Sequence, residues 1–162
     1  MDYRIRQVGN EDLDAVTAVE AVCFPEAEAA GREAFRMRIE AFPESFFVAE
    51  TEEGIIGFIN GAVTDQRTIS DEMFEEAALH KPDGAYQSVF GLDVMPEYRC
   101  QGIAAALMKH LIEAARERGK KGVILTCKEA LIPYYARFGY QNLGVSESVH
   151  GGAVWYDMIL EW

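Results

Sequence analysis

Three features of the sequence predict an α/β chain built on a mixed sheet. Short β-branched and aromatic runs recur along it, helix-period stretches lie between them, and a wholly apolar run follows an alanine-rich helix. The segment 87–127 reads as strand, helix, strand, and parallel neighbours need such a crossover. About seven strands and four helices fit the 162 residues, taken as one domain, 1–162.

Residues 2–8, DYRIRQV, alternate and predict the first strand. Asn10 or Asp12 can cap a helix running to about Cys23, with Leu13, Ala15, Val16 and Val19 on one face. A second helix is predicted over roughly 29–42, where Phe35, Ile39 and Phe42 follow helical spacing. FFVAETEEGIIGFINGAVT reads as a hairpin, its apolar runs 46–50 and 55–63 flanking a Glu-Glu-Gly turn. Residues 65–84 are polar, with a short helix near 70–78 and HKPDG at their end. Gln87–Val94 is the next strand, closed by Pro96. A helix from about Gly102 to Arg118 carries Ala105, Leu107, Met108, Leu111, Ile112 and Ala115 as its apolar stripe, and Gly119 stops it. GVILTC (122–127) has the uniform apolarity of a strand buried on both faces. Glu129–Arg137 predicts a short helix, FGYQNLG a strand edge, and AVWYDMIL (153–160) the last strand.

Composition narrows the function classes. A hydrophobic share of 49% is enough for a real core, and no apolar run approaches the roughly 20 residues of a bilayer span. The start, MDYRIRQVGNED, lacks the apolar stretch of a signal peptide. Cys23, Cys100 and Cys127 are scattered, which argues against a disulfide framework and for a reducing, cytoplasmic setting. His80, His110 and His150 share no ligand spacing, so no metal site is expected. A net charge of −12 argues against a nucleic-acid partner. The charge is uneven: Arg99 to Arg137 holds eight Lys/Arg against three Glu, a local +5 that leaves −17 elsewhere. Such a segment suits either a local anionic ligand or a solvated helix face. Composition leaves monomer and homodimer equally open.

The stretch PEYRCQGIAAA, residues 96–106, follows a strand and opens a helix. A helix N-terminus presents unpaired N–H groups and the positive end of its dipole. Gly102 and the small Ala104, Ala105 and Ala106 permit close approach, and Arg99 adds a forked cation suited to phosphate oxygens. The sum is an anion site. Its spacing is neither G-x-x-x-x-G-K-[ST] nor G-x-G-x-x-G, so neither a P-loop hydrolase nor a dinucleotide-binding fingerprint is supported.

The form Arg-x-x-Gly-x-Ala after LDVMPEY resembles the acetyl-CoA signature of the GNAT acyltransferase superfamily. The order of elements is similar too. Within that superfamily, ILTCKEALIPYYARFGYQNLG, ALHKPDGAY and FPEAEAAGREAFRMRIEAFPESFFVAE look like arylalkylamine (serotonin-type) N-acetyltransferases. The resemblance covers nearly the whole chain, and the signature turn and the Tyr-Tyr-Ala-Arg-Phe-Gly-Tyr segment are its most specific parts.

The resemblance implies a GNAT fold and acetyl-CoA as co-substrate. Leu92, Asp93 and Val94 would pair with the pantetheine arm, and Arg99, Cys100, Gln101, Gly102, Ile103, Ala104 and Ala105 would cradle the pyrophosphate. Tyr135 would return a proton to the departing coenzyme A thiolate. Phe24, Pro25 and Phe42 are candidate lining of the acceptor pocket, and Glu26, Glu28 and Glu33 could attract an ammonium. The sequence departs from this group at Ser88 and Phe90, where its members carry a histidine pair that relays the amine's proton. An ordered water passing that proton to Ser88, Asp93 or Glu50 is the fallback.

The implied activity is direct acetyl transfer from acetyl-CoA to a small primary amine, with an arylalkylamine one candidate. A peptide or protein amine is the second reading. A non-catalytic acyl-CoA-binding module is the third.

Overall fold

The alternation Phe46-Phe47-Val48-Ala49 sets the layers of the molecule. In the computed structural model, which describes residues 2–162, Phe46 and Val48 pack into one helical layer and Phe47 and Ala49 into the opposite one. A strand's two-residue period requires that division. These residues belong to β2 (Phe46–Thr51), which sits between β1 (Arg4–Gln7) and β3 (Gly54–Asn60) in an antiparallel sheet completed by β6 (Gly91–Val94). A second sheet runs in the order β4 (Val63–Thr64), β5 (Tyr86–Val89), β7 (Gly122–Cys127), β9 (Tyr156–Glu161) and β8 (Gln141–Val145). The β5–β7 pair is parallel and the rest are antiparallel.

Helices α1 (Leu13–Cys23) and α2 (Arg32–Ala41) cover the first sheet's Phe46, Val48 and Phe58 with Val16, Val19, Phe35 and Ile39. On the other side α4 (Ile103–Glu117) lays Leu107, Met108 and Leu111 across both sheets, against Phe47, Ala49 and Ile59 and against Val123, Leu125 and Met158. Each of those three helical side chains is at most 1% exposed, and such burial contributes about 1.5–3 kcal/mol apiece. Below the second sheet, α3 (Asp71–Glu75) brings Met73 to Ile124 and Ile159. The short α5 (Ile132–Ala136) follows β7.

Among the described residues nine strands and five helices stand where about seven and four were expected, and two divisions account for the extra strands. The predicted run 55–63 ends as β3 at Asn60, and β4 takes up pairing in the second sheet. The predicted strand 87–94 breaks at Phe90. Along one edge it stays continuous, since the Ser88 N–H donates to Ala62 O at 2.8 Å and the Phe90 N–H to Asn60 O at 2.7 Å. Along the other edge it follows β7 only as far as Val89 opposite Leu125, after which β6 has no strand beside it. Sheet twist parts the two strands, and β7 continues to Cys127 on the strength of β9 alone. A wedge opens between them.

Boundaries shift where backbone bonding overrides pattern. The second helix starts at Arg32 instead of 29, and the last strand at Tyr156 instead of 153. Asp12, not Asn10, serves the first helical turn: its carboxylate accepts the Gly9 N–H at 2.8 Å. Arg6 holds the same carboxylate and Glu50 together, which keeps Asp12 below its ordinary pKa.

Candidate active site

One mouth of the wedge is a turn made of main chain. After β6 a single 3-10 turn, Pro96–Tyr98, leads to Cys100 at φ 62° and Gly102 at φ 82°. A side chain costs about 1–2 kcal/mol in that left-handed region, so Gly102 has the favoured residue and Cys100 carries strain. A Cβ at Gly102 would meet nothing within 4 Å, which makes conformation, not crowding, the reason for glycine there. The first bond into α4 is Ala106 N–H to Gly102 O at 3.0 Å, and no side chain caps the helix. The six N–H groups from Cys100 to Ala105 therefore have no partner among the described residues. Consecutive free N–H groups at a helix N-terminus form an anion cradle.

The cations fall in two sets. Arg99 is exposed, and its Nε donates to the Val94 carbonyl at 2.9 Å, tying the turn to the end of β6. Arg116, in the last turn of α4, and Arg118, Lys120 and Lys121 just past it lie at the other end of the helix, about 22 Å away along its axis. There Arg116 covers the Trp162 ring, Arg118 bonds Glu44 O at 2.6 Å, and Lys120 bonds Pro82 O and Gly84 O at 2.7 and 2.9 Å. Much of the local positive charge is thus structural, and main chain dominates the cradle.

The wedge widens into a cavity of about 460 Å³. Leu92, Leu125, Thr126, Cys127 and Tyr135 line the part between β6 and β7. The far part is aromatic. Phe74 stacks on His150 at 5.4 Å and 13° and meets Phe90 at 4.8 Å. His150 Nε2 donates to Glu28 O at 2.8 Å, and Trp155 Nε1 donates to His150 O at 2.8 Å. Lys128 Nζ bonds Glu28 Oε2 at 2.9 Å and lies 5.7 Å from the Trp155 ring. Two loops far apart in sequence are thereby fastened over the cavity.

Tyr135 stands where the two parts meet. It is half-buried, lines the cavity, and packs edge-on against Tyr134 at 5.2 Å and Tyr140 at 6.0 Å. Burial, with Cys127, Tyr134 and Asp93 adding to it, raises its phenol well above the ordinary tyrosine value, so it keeps its proton at any working pH. Burial also pushes the neighbouring Cys127 thiol up to about 11, leaving it an inert thiol.

Of the residues singled out from sequence, Phe24, Pro25, Glu28, Phe90, Leu92 and Tyr135 line this cavity, with Glu28 paired to Lys128, while Glu26 and Glu33 lie outside it. Phe42 does not: it is fully buried one layer behind, against Phe90 and His80. Ser88 is fully buried and its hydroxyl is committed to Ala62 O at 2.7 Å. Glu50 bonds Arg4 and Arg6 at 2.7 and 2.9 Å, is held down to about 2, and lies outside the cavity, so it makes no base here. Asp93 and Val94 are buried in β6 behind the lining.

The pattern missed Glu20, Arg38, Phe74, His150 and Trp155, all of which line the cavity. Glu20 had a signal, a carboxylate inside the apolar run AVEAVC. It is 7% exposed, and its Oε2 accepts the Ala30 N–H at 2.8 Å. Arg38 is 5% exposed, bonds Asn60 Oδ1 at 3.2 Å and Phe74 O at 3.1 Å, and covers the Phe90 ring. Burial lowers its pKa to about 10 against the opposing pull of Glu20 and Asp93. Among the described residues no group of three metal-ligating side chains occurs, and no helix is long and apolar enough to cross a membrane.

Fold and site together define an α/β protein with an anion cradle at one mouth of a strand wedge and an aromatic chamber at the other. The chain belongs to the acetyltransferase (GNAT) family, whose profile matches residues 13–140. It is 31% identical over 143 residues to the probable hydrolase YhcX of Bacillus subtilis, covering 83% of this chain and 27% of that protein. It is 30% identical over 95 residues to serotonin N-acetyltransferase of Mesocricetus auratus, covering 57% of this chain and 44% of that one. The chain thus spans less than half the length of these relatives. Among solved structures, the GphF GNAT-like decarboxylase in complex with isobutyryl-CoA superposes with a TM-score of 0.81 over 98% of each chain, at 23% identity. At that identity the likeness establishes the fold.

Proposed function

We propose that the protein transfers an acetyl group from acetyl-CoA to the nitrogen of a small primary amine with an apolar or aromatic body. The observation that carries this reading is one continuous wedge joining a row of free N–H groups to an aromatic chamber, with an unbonded phenol between them. Acetyl-CoA supplies the acetyl group as an activated thioester. Its fit rests on this chain's own groups: the N–H row from Cys100 to Ala105 suits a pyrophosphate, and the unpaired edge of β6, at Leu92 to Val94, suits the amides of pantetheine. Arg99 adds charge beside the cradle while bracing it on Val94 O. Likeness to an acyl-CoA-bound protein and to a serotonin acetyltransferase supports the same assignment.

The chain's residues then divide the work. The amine nitrogen attacks the thioester carbonyl directly, with no covalent enzyme intermediate. Tyr135, protonated throughout, donates to the leaving thiolate. Phe24, Phe74, Phe90 and Trp155 surround the acceptor's body. The Glu28–Lys128 and Glu28–His150 ties close the chamber wall, which favours a small amine over a polypeptide that must run through.

Coenzyme A release measured over a panel of phenylethylamines, tryptamines, aliphatic amines and N-terminal peptides tests this. Turnover is expected on the arylalkylamines or aliphatic amines, and turnover on peptides alone would reassign the acceptor. Tyr135→Phe is expected to lower kcat by about 100-fold. Full rate in that variant across pH would remove the proton donor.

A further inference from the structure

The amine must lose a proton before it attacks, and neither an imidazole pair nor Ser88 nor Glu50 is placed to take it. Beneath the cavity floor lies a group of buried polar atoms. Asp93 on β6 is 1% exposed and neither carboxyl oxygen has a donor partner. Glu20 on α1, which lines the cavity, leaves Oε1 equally unpartnered. Both converge on Gly91: a Cβ built there would lie 3.2 Å from Asp93 Oδ1, 3.7 Å from Glu20 Oε1 and 3.6 Å from Asn60 Nδ2. Gly91 itself lines the cavity, so only a glycine's width separates the acceptor space from the two carboxyls.

Two carboxylates that face each other without a donor repel strongly unless one proton bridges them. We propose that Glu20 and Asp93 form a proton-sharing carboxyl pair that takes the acceptor amine's proton across Gly91, with Glu20 as the member that meets the acceptor or its bridging water. This rests on the acetyl-transfer reading. The charged and titratable groups around Asp93 are Glu20 and Cys23 from α1, Arg38 from α2 and Tyr135 from α5. Burial, with the Glu20 carboxyl close by and its charge, raises the Asp93 carboxyl, while Arg38 offsets part of that rise. The buried Arg38 cation matches the pair's single remaining negative charge, so the singly protonated state is the balanced one.

The proton count closes. The acceptor arrives as R–NH3+ and gives one proton to the pair, which goes from one shared proton to two. The freed nitrogen lone pair forms the C–N bond, and the C–S bond breaks with its electron pair left on sulfur. Tyr135 protonates that thiolate and recovers a proton from the nitrogen of the new amide. The pair then returns its extra proton to solvent.

The experiment uses the full chain, the conservative variants Glu20→Gln and Asp93→Asn, and the best amine from the panel. Wild type at neutral pH is expected to show the infrared carbonyl band of a protonated, buried carboxyl, lost in Asp93→Asn. In both variants kcat/KM for the amine is expected to fall about 100-fold at neutral pH, and less as pH rises and free amine becomes abundant. Coenzyme A affinity by calorimetry is expected to stay within twofold of wild type, which also reports an intact fold. Absence of the band, or variant pH profiles parallel to an active wild type, overturns the pair alone. A wild type that binds coenzyme A but acetylates no amine overturns the acetyl-transfer reading and the pair with it.

Discussion

The two mouths of the wedge are made of different material. The cradle is main chain from six consecutive residues, Cys100 to Ala105, and needs side chains chiefly to stay small. The aromatic chamber is side chain from five separate segments, namely Glu20 to Arg38, Phe74, Phe90, Leu125 to Tyr135 and the loop with His150 and Trp155. A main-chain site depends on backbone angles, so few sequences can form it and each leaves a compact motif. A side-chain site depends on tertiary packing, so its specificity can change without disturbing the other half.

That separation gives graded tests. The largest effect is expected from Gly102→Val, which forces a β-branched residue to a positive φ and fills the open cradle. Its acetyl-CoA KM should rise about 100-fold, roughly 2.7 kcal/mol, while the amine KM moves less than threefold. Next comes Phe74→Ala, which removes the ring between His150 and Phe90. It should lower kcat/KM for the amine about tenfold and leave coenzyme A affinity alone. Were both substrates affected equally in either variant, the two halves would not be separable. The smallest effect belongs to Cys100→Gly, which relieves the one left-handed non-glycine among the described residues. Relief of strain exceeds the added freedom of the unfolded chain by about 0.5–1 kcal/mol, so Tm should rise by roughly 1–4 °C with KM unchanged.

How much could be read in advance follows from the same contrast. The cradle, the crossover and the apolar stripe of α4 were legible because each repeats a local rule over adjacent residues. The break at Phe90 was not, because Val89 and Leu92 have the same apolar character whether β7 lies beside them or not. Phe42 has the composition of a pocket residue but packs behind the pocket, and sequence spacing carries no depth. Trp155 and His150 lie in a loop without periodicity, and contacts with residues distant in sequence, Glu28, Phe74 and Lys128, bring them to the site. Glu20 was the legible exception, since a carboxylate amid apolar neighbours must either be exposed or have a purpose.

The crossing of one strand between two sheets at Phe90 also bears on how this chain can change over evolutionary time. Val89 faces a partner in β7 and Gly91 a partner in β3, so the two sheets share a single side-chain count. Inserting or deleting one residue there would turn inward positions outward on one sheet relative to the other, exchanging buried for exposed along a whole edge. Length variation is therefore barred at the centre of the molecule. The shape of the chamber is left free to change by substitution at Phe90, or by lengthening and shortening the two tethered loops, whose ends lie at the surface.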